Sequence, residues 1–105
     1  MWVYVSGPYT GGDTAINVVN AIDAGFELRE MGHVPIVPHL SHFMHMRRKK
    51  PYRFWMEFDL DLLARCDAII RLPGESPGAD EEVAAAEAAG KPVYYSLEAI
   101  PRVRA

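Results

Sequence analysis

A single cysteine, Cys66, stands in 105 residues, so the chain has no internal disulfide to staple it. Placed where a helical pattern runs into an apolar one, that thiol reads as a small buried hydrophobe and not as a nucleophile. Long apolar runs are also missing. No stretch approaches the roughly 18 uninterrupted apolar residues of a membrane span, and Met1-Trp2-Val3-Tyr4-Val5 lacks the basic start of a secretory signal. The expectation is a cytoplasmic protein with no membrane partner. Excess positive charge is absent: 11 Lys and Arg face 14 Asp and Glu, a net charge of −3. Without a broad basic field, a dedicated nucleic-acid binder is not expected, though local donors can still hold a small anion. Length is short as well, enough for one core and no separate binding module, so residues 1–105 read as one domain.

What is present is an alternation of apolar strand runs with helical periodicity, the order of an α/β domain with a largely parallel sheet. Residues 2–6 form the first expected strand, ending at Gly7-Pro8. Asp13 can cap a helix over residues 14–31, with Ile16, Val19, Ile22 and Phe26 on its apolar face and Gly32 as its stop. Residues 34–37 form a second strand. Residues 38–51 are a histidine- and base-rich connection, long enough to suggest a functional loop or lid. A helix over residues 52–65, a strand over 67–72, an alanine-rich helix ending at Gly90, and a strand over 92–96 follow. The tail has room for one more turn.

Right-handed crossovers favour the strand order 2-1-3-4, a three-layer α/β/α arrangement of flavodoxin or Rossmann type. In such sheets ligands bind beyond the carboxyl ends of the strands where the connection reverses. That rule brings the loop after the first strand, residues 7–12, against the loop after the third, residues 76–82. Gly7-Pro8-Tyr9-Thr10-Gly11-Gly12 fits neither the Walker pattern nor the dinucleotide fingerprint and taken alone is equally a tight turn. The second loop, Ser76-Pro77-Gly78-Ala79-Asp80-Glu81-Glu82, precedes Val83 and a run of alanines, which puts Glu82 in the first turn of a helix. There the positive helix end favours an ionised carboxylate and free backbone N–H groups can hold hydroxyls or phosphate. Decoration of a helix start by acidic residues is the plainer alternative.

These segments resemble the nucleoside 2-deoxyribosyltransferase-like superfamily, which includes the 2′-deoxynucleoside 5′-phosphate N-hydrolases. The resemblance is carried by Val3-Tyr4-Val5-Ser6-Gly7-Pro8-Tyr9, by Pro38-His39-Leu40, by Asp59 eight residues before Asp67, and by Ser76-x-Gly78-x-x-x-Glu82. A bacterial and phage subgroup with Gly-Pro-Tyr-Thr and Pro-His-Leu is more similar still. The resemblance implies that Glu82 is the nucleophile at the anomeric carbon, with Asp59 and Tyr4 serving the same site. It implies that Ser76 and Gly78 lie at the phosphate or sugar of a small nucleoside or nucleotide and that the chain works as a homodimer. Gly7, Tyr9, Thr10 and Gly11, from the loop after the first strand, and His39, as a sugar- or phosphate-facing donor, are further expected substrate contacts, and no cofactor is expected. Phosphate-preferring relatives carry arginine at the place of Thr10 and serine at that of Pro8. Arg47, Arg48, Lys49 and Lys50 can compensate or can form a solvated basic loop.

Two other readings use the same residues: a catalytically silent nucleotide-binding sensor, and a dimeric assembly module. Asp59 fits the polar side of an amphipathic helix beside Glu57 and Asp61, and Tyr4 fits a core strand. His39, His42 and His45 recur every third residue, a spacing that converges poorly on one zinc ion, so His42 and His45 read as lid residues. Trp55, beside Phe54 and Phe58, can stack on a base or serve as a core or dimer contact.

Overall fold

Alternation along the first strand sets up both faces of the sheet. In the computed structural model, which describes residues 1–103, strand β1 (Trp2–Ser6) sends Val3 and Val5 to one side and Tyr4 to the other. Parallel strands β2 (Val34–Ile36), β3 (Ala68–Arg71) and β4 (Val93–Tyr94) complete a sheet of order β2-β1-β3-β4. This is the expected strand order, with β1 and β3 central and the reversal of direction between them. Helix α1 (Thr14–Glu30) covers the Val3 face, and α3 (Tyr52–Ala64) and α4 (Pro77–Ala88) cover the Tyr4 face, giving three layers. The C-terminal segment contributes the expected turn, Leu97–Ala99, which packs Leu97 and Ile100 beside α1.

Helix α1 starts as expected, with the Asp13 carboxylate accepting the Ile16 N–H at 3.1 Å, but its buried face is a different one. Val18, Ala21, Ala24, Gly25 and Leu28 face the sheet, while Ile16, Val19 and Phe26 are 57%, 53% and 68% exposed. Small residues let the helix lie close: a Cβ on Gly25 would stand 3.0 Å from Val37 Cγ2. Three of the four large apolar residues expected on the buried face are therefore left outside.

Residues 38–51 are not an open loop. Pro38–Ser41 is a 3₁₀ turn and His42–Arg47 a short helix, α2. Two contacts tie them to the loop after β1: His39 Nε2–H donates to the Pro8 carbonyl at 3.0 Å, and the Tyr9 hydroxyl lies 2.5 Å from His42 Nδ1. Helix α4 also begins earlier than expected, at Pro77, because Ser76 Oγ accepts the Ala79 N–H at 3.1 Å and proline suits the first helical position. Glu82 thus falls in the second turn. Among the described residues no helix is long and apolar enough to cross a membrane.

Candidate active site

Glu82 is 6% exposed, although it stands on a surface helix. Tyr4 Oη donates to its Oε2 at 2.5 Å and Ser6 Oγ donates to its Oε1 at 2.7 Å. Both donors come from alternate positions of β1, so the pleat of one strand aims two hydroxyls at one carboxylate. Burial raises the Glu82 pKa, and the bonds from Tyr4 and Ser6 oppose that rise. Being in the second turn, Glu82 lies beyond the helix start, where the dipole acts, so what favours its charged form is first the two hydroxyls and then the nearby Arg71 charge. Burial, and then the charge of Glu82, push the Tyr4 pKa far up, which keeps the phenol protonated and donating.

Asp59, on α3, faces the same space. Its pKa is pushed up to about 7, first by burial and then by the Glu82 charge, and its buried Oδ1 has no hydrogen-bond partner among the described residues. Among the described residues one carboxylate is held by two donors and the other by none, so Asp59 is the member of the pair that takes up a proton near neutrality. His39 is 6% exposed. Its pKa is lowered chiefly by burial, and with Nε2–H given to Pro8 its buried Nδ1 is an acceptor with no partner among the described residues.

These groups open on a cavity of about 700 Å³, the size of a small-ligand site. Gly7, Tyr9, Thr10, Gly11, His39, Asp59, Ser76, Gly78 and Glu82 all line it; Tyr4 lies beneath, fully buried against Glu82. The Ser76 hydroxyl is already engaged as the α4 cap. At Gly78 the wall is tight: a Cβ there would come within 3.1 Å of Tyr52 Oη and 3.3 Å of Met56 Cε.

The site also holds residues that sequence reasoning did not single out. Ser6 is the clearest, and its signal was its place two residues after Tyr4 on the same strand face. Tyr52 and Met56 line the cavity together with Trp55, which is therefore neither core nor surface filler. The three histidines part company: His39 meets Pro8, His42 meets Tyr9, and His45 accepts the Trp55 indole N–H at 2.7 Å. Among the described residues no cluster of three or more His, Cys, Asp or Glu is placed to hold a metal.

Fold and site together define an α/β domain with a carboxylate-bearing cavity at the switch point of a parallel sheet. The chain belongs to the family described as Domain of unknown function (DUF7768), whose model matches residues 1–96. No curated protein matches it. Among solved structures it is similar to the 2-deoxyribosyltransferase of Bacillus psychrosaccharolyticus, with a TM-score of 0.64 and 19% identity over 89% of this chain and 69% of the other. It is likewise similar to a 2-desoxiribosyltransferase from Leishmania mexicana, with a TM-score of 0.62 and 20% identity over 88% of this chain and 61% of that one, less than two thirds of its length. At such identity the likeness is one of fold.

Proposed function

We propose that the protein cleaves or transfers the N-glycosidic bond of a nucleoside or nucleoside 5′-monophosphate, with Glu82 as nucleophile. The observation that carries this reading is the pair of carboxylates at one cavity end, Glu82 anchored by Tyr4 and Ser6, and Asp59 with an unpaired oxygen and a pKa pushed up to about 7. The names of the two fold neighbours, both deoxyribosyltransferases, support it.

In the first step a Glu82 oxygen bonds to the anomeric carbon as the bond to the base nitrogen breaks. The departing electron pair stays with the base, which takes the Asp59 proton. Water or an acceptor base then displaces Glu82 from the sugar and returns a proton to Asp59. Tyr4 and Ser6 hold the nucleophile in line and keep it anionic until it attacks. The backbone of the loop after β1 and the start of α4 at Gly78 suit sugar hydroxyls or a 5′-phosphate. His39 Nδ1, an acceptor, suits a sugar hydroxyl.

Incubation with a panel of nucleosides and nucleotides, followed by chromatography for free base or exchanged nucleoside, tests the reading. Release or exchange with at least one member is expected. Tight binding without either would leave a silent nucleotide-binding domain in its place.

A further inference from the structure

We propose that the cavity contains a second anion subsite, formed by Lys49, Lys50 and His45 at the junction of α2 and α3, which takes an outer phosphate of a nucleoside 5′-diphosphate or triphosphate. The inference rests on the nucleotide reading above and extends it to a substrate class.

Helix geometry provides the ruler. Gly78 and Glu82 are one turn of α4 apart, about 6 Å, close to the span between a nucleoside's anomeric carbon and its 5′-phosphorus. A sugar attacked by Glu82 therefore brings its first phosphate to the α4 start, beside Gly78 and Tyr52. Along α3, Asp59 and Tyr52 are seven residues, about 10 Å, apart. Lys49 and Lys50 immediately precede Pro51 and the start of α3, the end of that helix away from Asp59, and line the same cavity. A group that meets them lies past the first phosphate.

Lys49 and Lys50 are exposed at the cavity mouth, and among the described residues no hydrogen-bond acceptor or carboxylate engages their ammonium groups. Other nearby cations are engaged, Arg53 with Glu81 at 3.0 Å and Arg71 with Asp80 at 3.1 Å. Among the described residues neither lysine has a carboxylate partner; the Lys50 ammonium lies 5.4 Å from the centre of the Phe54 ring. Glu75, which lines the cavity with Asp59 and Glu82, pairs with neither lysine among the described residues. His45 Nδ1 accepts from Trp55 Nε1–H at 2.7 Å and from the Lys50 backbone N–H at 3.3 Å. Both partners can only donate, so the neutral ring carries its proton on Nε2, and Nε2 has no partner among the described residues. Two ammonium groups and one oriented N–H call for a ligand group rich in acceptor oxygens, which a phosphate supplies. Arg47 and Arg48, next in sequence, do not line the cavity and serve as an internal control.

Calorimetry on the Glu82→Gln variant, which keeps the ligand intact, tests this with the nucleoside, monophosphate, diphosphate and triphosphate of one base in metal-free buffer. Affinity is expected to rise about tenfold from mono- to diphosphate, the worth of one charge-assisted contact. In that background, Lys49→Ala with Lys50→Ala should erase the step and leave monophosphate binding within about twofold, and His45→Gln should shrink it. Arg47→Ala with Arg48→Ala should leave it intact. Equal affinity for mono- and diphosphate, survival of the step without the lysines, or its equal loss in the arginine variant would overturn the subsite. If no member of the series binds, the nucleoside included, the nucleotide reading itself fails and the subsite with it.

Discussion

Tyr4 and Glu82 are 78 residues apart in sequence and 2.5 Å apart in space, joined by a buried bond from phenol to carboxylate. The bond crosses from the central strand to α4 and fixes one carboxylate oxygen, while Ser6 fixes the other. A buried carboxylate with two hydroxyl donors and, among the described residues, no ion-pair partner is poorly explained as a stabilising feature, because burying a charge without a paired cation is costly. It is well explained as a positioned nucleophile.

Removing that charge should stop the chemistry and spare the fold. Glu82→Gln retains shape, and base release should fall roughly 1,000-fold or more with little change in melting temperature. Glu81, half-exposed and paired with Arg53, supplies the control: Glu81→Gln should stay within a few-fold of the parent. Comparable release by the Glu82 variant and the parent would end this mechanism.

Tyr4→Phe keeps the ring packed against Leu63 and Ile69 and deletes only the donor. Loss of one preorganised bond should lower kcat by about 10- to 100-fold. The Glu82 pKa should rise further, because a bond favouring the charged form is gone, so the acid limb of the rate profile should move to higher pH. A lower rate with an unmoved acid limb would mean that Tyr4 acts by packing alone.

Much of this was legible in the sequence, because β-period and turn chemistry are local. Strand order, the Asp13 cap and the convergence of two loops on Glu82 came from such signals. The α1 face was misread because three of the five residues of its buried stripe, Ala21, Ala24 and Gly25, are small, and a search for large apolar residues is blind to them. Residues 38–51 looked like a lid because what orders them is long-range, His39 to Pro8 and Tyr9 to His42, and no local pattern announces such contacts. Glu82 was placed one turn early because the Ser76 cap and Pro77 start lie upstream of the alanine run. Ser6 required knowing which strand face meets α4.

Assembly is the next prediction. Phe54 and Phe58 on α3, and Phe43 and Met46 on α2, are 42%, 37%, 62% and 70% exposed, a concentration of large apolar side chains on one helical pair. A two-fold homodimer is expected. Sedimentation at micromolar concentration should give twice the chain mass, and Phe58→Glu should shift it toward one chain. A parent that sediments as a single chain would refute this.

Asp59 makes the protein's pH dependence predictable in sign. Its pKa is near 4 when unfolded and is pushed up to about 7 in the fold, chiefly by burial. Between those values the folded protein binds the proton more readily than the unfolded chain. Its contribution to stability is therefore complete below about pH 4 and is lost as pH rises through about 7, by at most roughly 4 kcal/mol. Asp59→Asn, neutral at every pH, should melt like the parent near pH 4 and above it at pH 8. In the proposed mechanism the base takes the same proton. Activity should fall as pH rises through about 7, where Asp59 loses the proton destined for the base, and should fall on the acid side as Glu82 becomes protonated. In Asp59→Asn the rate should drop about 100- to 10,000-fold and the alkaline limb should vanish. Melting curves that stay parallel from pH 4 to 8, with an alkaline limb unchanged in the variant, would remove Asp59 from the proton's path and leave it as an incidental buried acid.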